Sequence, residues 1–341
     1  MFGKFHFDKT IAISGAILFA LTGAAPYSHA TNVACVGNSI TEGYGIWGDK
    51  KYPDHLQEML GDSYSVTNFG VSSMTFAGAT IKAGDNSASY WKTEKFKAAL
   101  NSSPDIVVIE LGTNDSKFFM ANDDTQGIYN YNYGQCEKSQ LYTDYEALID
   151  TFAHLPTNPE IFATLQPYSN NLEWAIMDTA IVNQINPIIK ETAIKKGVNI
   201  IDLHTLFKTP EWFLSDSVHP NATGAQELAK IINKYITLAK PTLKQEQTSL
   251  QVNGNSYGVH WYKDGKLMEG DNTTLTLTAT GKYRALVKVE SDNDSWLLSD
   301  EIEVNDLNGG ATAISPNQRK TVQPKARKLH HKVDVKGRRA E

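Results

Sequence analysis

Four short segments hold side chains able to act on one another: VACVGNSITEG at 33–43, VTNFGVS at 66–72, VIELGTND at 108–115 and SDSVHPNATGA at 215–225. A serine hydroxyl such as that of Ser39 is a weak nucleophile until a base takes its proton, and histidine is the side chain whose protonation suits that task near neutrality. His219 supplies one. Asp216, three residues before it, can accept from the other ring nitrogen and fix the tautomer. Gly70 lets backbone approach closely, so its N–H can face a crevice, and Asn114 offers a neutral amide donor. Together these types predict acyl transfer with an oxyanion site, a chemistry that needs neither metal nor cofactor. Each residue also has a plainer reading: Ser39 capping a helix, Gly70 making a bend, Asn114 holding a turn, Asp216 and His219 forming a surface pair. Their joint occurrence in four loops favours the reactive constellation. His204, His260 and the His330–His331 pair lack such company and read as structural or solvated, and Asp115 reads as a holder of its own loop.

The elements that must carry these loops are legible from hydrophobic patterning. Short β-rich runs at 33–36, 65–69, 106–111, 160–165 and 199–203 alternate with helical patterns at 53–60, 93–100, 143–154 and 173–196, and Pro187 marks a kink or break in the last. A final helix at 222–236 has Asn221 as its N-cap. Alternation of this kind predicts an α/β domain over 31–240, a parallel sheet with helices on both faces. Ligands in such sheets bind beyond the carboxyl ends of strands, where all four segments fall.

In order and rough spacing, GNSIT, NFGVS, ELGTND and DSVHPN make the chain resemble the SGNH, or GDSL-like, hydrolase superfamily over about residues 31–240. The resemblance implies a flavodoxin-like fold with five parallel strands. It also implies Ser39 as nucleophile, His219 as base, Asp216 as its orienter, and the Ser39 N–H, the Gly70 N–H and the Asn114 amide as oxyanion donors. One departure is visible: Asn38 stands where the family usually has Asp, which changes the local charge and removes no catalytic group. Exported relatives with an appended β-domain deacetylate carbohydrates, so the expected function is an O-acetylesterase acting on xylan or another cell-wall polysaccharide. A short-chain or lysophospholipid esterase and a non-catalytic surface carbohydrate-binding protein are the alternatives. Tyr129, Tyr131 and Tyr133, in a Tyr/Asn-rich segment after Asn114, and Trp212 are expected substrate contacts, because aromatic faces beside amides suit sugars. Trp47 and Trp91 are similar candidates.

Outside this domain the chain changes character. Residues 1–30 have Lys4 and Lys9, an apolar run from Ile11 to Ala25 and Ser28-His29-Ala30, the three parts of a secretory signal cleaved near Ala30. That run is shorter than a spanning helix needs and no later segment is continuously apolar for that length, which predicts a secreted, periplasmic or cell-surface protein. Residues 245–305 alternate in short runs and predict an immunoglobulin-like β-sandwich, with Trp261 in its core and Gly281-Lys282-Tyr283 resembling a tyrosine corner. Such a module is expected to be dispensable for the chemistry. The tail from 306 to 341 reads as flexible; from 307 it holds nine Lys/Arg against two acids, a charge of +7, while residues 31–306 carry -14. An acidic body excludes nucleic acid as a partner, and only the tail suits anionic envelope components or an export system. With two cysteines, a Cys35–Cys136 bridge requires the segment around Cys136 to fold back onto the first strand.

Overall fold

The computed structural model describes residues 30–78, 88–119, 138–307 and the backbone of 311–313. Five strands, β1 (Thr31–Gly37), β2 (Tyr64–Gly70), β3 (Ile106–Glu110), β4 (Glu160–Leu165) and β5 (Asn199–Asp202), pair in parallel in the order 2-1-3-4-5. This is the flavodoxin-like order, whose switch point lies between β1 and β3. The register puts Gly37 opposite both Gly70 and Glu110, so the first three loops leave the sheet at one level.

Alternation along each strand builds two cores. Ala34, Val36, Val107 and Ile109 face one side with Phe96 and Ala99 of the helix Glu94–Asn101, Tyr145 and Leu148 of Lys138–Ala153, and Ile188 and Ile189 of Asn186–Lys196. Val33, Cys35, Ile106 and Val108 face the other, against Leu56 of Tyr52–Leu60 and Leu228 and Ile232 of Ala222–Thr237. Strands covered on both faces explain the unbroken apolar runs. Thr93 and Asn221 cap their helices, accepting from the Phe96 and Gly224 N–H groups at 3.0 and 2.9 Å. The helix expected at 173–196, with its kink or break at Pro187, begins only at Asp178 and is interrupted just before that proline. Pro187 has no N–H to continue an α-turn, and the chain ahead of it widens into π geometry at Ile181–Ile185, where the Asn186 N–H reaches the Ile181 carbonyl.

The antiparallel region adds β6 (Leu243–Glu246), β7 (Ser249–Val252), β8 (Val259–Lys263), β9 (Lys266–Leu267), β10 (Thr274–Thr276), β11 (Gly281–Lys288), β12 (Trp296–Leu298), β13 (Ile302–Val304) and β14 (Ala311–Ala313). A three-stranded sheet, β10-β7-β6, lies over a second sheet centred on β11. Trp261, Tyr283, Leu250 and Val304 fill the space between them, and the Tyr283 hydroxyl donates to the Ala279 carbonyl at 2.6 Å.

Two features depart from the reading of a self-contained module followed by a flexible tail. Trp296 of β12 pairs antiparallel with Ile200 of β5, so the second sheet continues the parallel one. Tyr262, Leu286 and Trp296 pack into the first core and Leu297 into the second, while Ser295 Oγ accepts from the Asp202 N–H at 3.0 Å and Asp202 Oδ2 from the Asp294 N–H at 2.8 Å. The reason is the bare edge of β5, whose unpaired backbone needs a partner. The second feature is β14, which falls inside the segment expected to be tail. It pairs with β13 and satisfies that strand's outer edge. Residues 1–29 of the expected leader and the tail beyond residue 313 lie outside the described residues, as does Cys136. Cys35 is buried and free among the described residues, its thiol pushed up to about 12 by burial.

Candidate active site

β1 ends at Gly37, where a Cβ would fall 1.9 Å from Thr41 Oγ1 and 2.8 Å from the Glu110 carbonyl; only glycine lets the chain turn this tightly. The next turn is the helix Ser39–Glu42, capped by Asn38, whose Oδ1 accepts from the Ile40 N–H at 2.8 Å. Ser39 is the first helical residue, so its N–H belongs to those a helix start leaves without an intrahelical partner.

Beneath this turn lies a group that the motif reading passed over. Glu110, fully buried at the end of β3, accepts from Thr41 Oγ1 at 2.9 Å and from Asn38 Nδ2 at 3.5 Å. Burial pushes its carboxyl up to about 8 against the hydrogen bonds that lower it. The departure at position 38 thus has a physical sense, since the Asn amide can donate to Glu110 where an ionised aspartate could only accept.

Across the crevice, Ser39 Oγ lies 2.8 Å from His219 Nε2, and His219 Nδ1 lies 2.9 Å from Asp216 Oδ2. Asp216 Oδ1 accepts from the Val218 and His219 N–H groups, both at 2.9 Å. Burial alone would raise the Asp216 carboxyl; the His219 ring and these two N–H groups overcome that and hold it below the usual range. The loop is fixed to the final helix at Gly224, where a Cβ would meet the Trp212 carbonyl at 2.0 Å.

Asn114, on a 3-10 turn at Asn114–Phe119, donates from Nδ2 to the Met74 carbonyl at 3.1 Å, which fixes the amide plane and leaves its second hydrogen for another acceptor. Its turn is held by Gln166, whose Oε1 accepts from the Thr113 N–H and hydroxyl, each at 3.0 Å. Asp115 is a loop holder, accepting from the Phe76 and Ala77 N–H groups at 3.2 and 3.0 Å. Gly70 packs against the Ser39 helix, where a Cβ would sit 2.2 Å from the Glu42 nitrogen. Its N–H donates to Asn68 Oδ1 at 2.9 Å, so an oxyanion would share or displace that bond.

The expected substrate contacts fare differently. Tyr129, Tyr131 and Tyr133 lie outside the described residues. Trp212 is half-buried and stacked on Phe207 with centroids 5.3 Å apart, so it is a packing residue of the His219 loop. Trp91 is likewise tied inward, donating to the Phe76 carbonyl at 2.8 Å. His204 pairs with Asp178 at 3.0 Å, and His260 stacks on Trp296. Aromatic rings do meet His219: Tyr44 at 4.5 Å and Trp174 at 5.5 Å between centroids. Neither was singled out in the sequence: Tyr44 directly follows the first motif but an aromatic there usually packs, and Trp174 lies far from all four motifs. Among the described residues no three His, Cys, Asp or Glu side chains cluster as metal ligands would.

Residues 35–227 match the GDSL-like Lipase/Acylhydrolase family. The chain belongs to that family. Over 224 residues it is 37% identical to an acetylxylan esterase of Xylanibacter ruminicola, covering 61% of this chain and 43% of that protein. A multidomain esterase of Ruminococcus flavefaciens is 25% identical over 339 residues, 87% of this chain and 41% of that protein. The chain therefore spans less than half the length of these curated relatives. Among solved structures, a lipase/acylhydrolase from Enterococcus faecalis matches with TM-score 0.46 and 19% identity over 60% of this chain and 95% of that one. A carbohydrate acetylesterase family member from Sinorhizobium meliloti matches with TM-score 0.45 and 21% identity over 60% and 97%.

Proposed function

We propose that this family member is a serine esterase that removes O-acetyl groups from carbohydrates, xylan foremost. The observation that carries the reading is the continuous relay from Ser39 Oγ through His219 to Asp216, with both bonds below 3 Å. With Nδ1–H donated to an ionised Asp216, Nε2 is the acceptor that takes the Ser39 proton as Oγ attacks the ester carbonyl. The oxygen gaining charge is met by the Ser39 N–H, the Asn114 amide and the Gly70 N–H. Collapse of the intermediate passes the proton from His219 to the departing sugar hydroxyl and leaves acetyl on Ser39. Water, deprotonated by His219, then attacks the acyl-enzyme, and acetate departs as Ser39 recovers its proton.

The similarity to a protein named acetylxylan esterase supports acetylated xylan as the substrate. The leader read at 1–30 supports export, and the basic tail supports contact with anionic envelope polymers of salt-sensitive strength. Acetate release from acetylated xylan, acetylated pectin and O-acetylated sialic acid, beside aryl esters of increasing chain length, tests the reading. Acetylated xylan should be the best of the natural substrates and aryl acetate the best of the simple esters. A preference for long acyl chains would point to a lipid esterase instead.

A further inference from the structure

Between the Ser39 helix and Tyr52 the chain makes a glycine-rich loop, with Gly43, Gly45 and Gly48 at φ of +88°, +81° and +93°. It presents two aromatic rings to solvent, Tyr44 at 38% and Trp47 at 69% exposure. Such exposure of large apolar rings beside a reactive histidine needs a reason. The rings form a stepped wall. Trp47 meets Tyr44 edge-on at 5.6 Å, Tyr44 meets Trp174 edge-on at 6.2 Å, and Tyr44 and Trp174 both lie against His219.

The wall is built into the site. The Tyr44 N–H donates to the carbonyl of Ser39 itself at 3.0 Å, and Leu214 packs where a Gly45 side chain would be, while its own N–H donates to the His219 carbonyl at 2.8 Å. The Trp174 turn is tied to the acidic member, as Asn171 Nδ2 donates to the Asp216 carbonyl at 3.1 Å. The rings are thus placed by the same segments that place Ser39, His219 and Asp216.

We propose that Tyr44, Trp47 and Trp174 form a platform on which the pyranose rings of the alcohol side of the ester stack. The inference rests on the esterase reading for the identity of that alcohol. An acyl chain needs an enclosed apolar channel, whereas a polysaccharide remains in water and needs an open ledge leading away from Ser39. A ledge that ends in a mostly exposed indole has that shape. The Tyr44 hydroxyl and the Trp47 indole N–H, with no hydrogen bonds among the described residues, can serve sugar hydroxyls at the edge of each ring.

The test uses unacetylated β-1,4-linked xylo- and manno-oligosaccharides as competitive inhibitors of 4-nitrophenyl acetate hydrolysis by the full chain. Trp47→Ala should raise the inhibition constant of the better oligosaccharide about tenfold, and Trp47→Phe should keep it within about threefold of the unsubstituted chain. Because Trp47 is mostly exposed, its removal leaves the core intact. Absence of inhibition by both sugars, or inhibition indifferent to Trp47→Ala, overturns the platform. If the oligosaccharides inhibit through Trp47 while their acetylated forms release no acetate, the platform stands and the deacetylation reading fails.

Discussion

At the scale of single residues, the groups around Ser39 are expected to act together. Asn114→Ala removes an amide whose hydrogen bond strengthens as the oxyanion forms, so kcat should fall by about 100-fold or more with a smaller change in KM. Steady-state kinetics on an aryl acetate would measure it, and a change confined to KM would place Asn114 in substrate binding alone. Gly70→Ala should harm by a different route. The new Cβ would press on the Glu42 nitrogen and the Thr41 carbonyl carbon at 2.2 and 2.7 Å, backbone atoms that cannot swing aside. Thermal unfolding and kcat should fall together; a variant with unchanged melting and reduced kcat would instead mark the Gly70 N–H as a pure oxyanion donor. The motif residues were readable in the sequence because their chemistry fixes their types. Tyr44 and Trp174 were not, since an aromatic residue near a site is usually packing, and only the fold brings them to His219.

Among the elements, β3 has a second function besides carrying Asn114. It delivers Glu110 beneath the helix that begins at Ser39, in a place where a charge is costly. The unfolded chain releases the Glu110 proton near 4.5, whereas the folded chain retains it to about 8, so folding takes up a proton in that window. Stability should therefore fall as pH rises from about 5 to about 8, and Glu110→Gln should reduce that fall. Melting temperatures of both proteins across this range would measure the difference; equal slopes would contradict it. The five parallel strands and the capped helices were legible because each obeys one strong periodicity. The interruption at Pro187 was legible too, but not its form, because an apolar repeat does not reveal whether the chain before a proline stays α-helical or widens.

For the whole molecule, the parallel sheet does not end at β5. Composition alone separates residues beyond 240 from those before, and every proposed catalytic residue precedes Ile236, so the sequence reads as two separable parts. The pairing of Trp296 with Ile200 and the burial of Tyr262, Leu286 and Leu297 in the two main cores join them. Patterning could not show this, because a strand's alternation tells which face is buried and not which edge is paired. A chain ending at Lys240 would bare the β5 edge and several large side chains, each worth about 1.5–3 kcal/mol of burial. Its melting temperature should fall sharply and its yield of soluble protein with it, as calorimetry and expression trials would measure; unchanged melting would mean that the β-region is an appendage.

On the proposed function, Ser39 is the group acetylated during turnover of an acetylated carbohydrate. Acetate released from acetylated xylan, measured for the full chain and its Ser39→Ala variant side by side with folding checked by circular dichroism, tests it most directly. Steady release by the unsubstituted chain and loss of nearly all of it in Ser39→Ala is the result expected. A folded Ser39→Ala variant that releases acetate at the original rate would contradict the account.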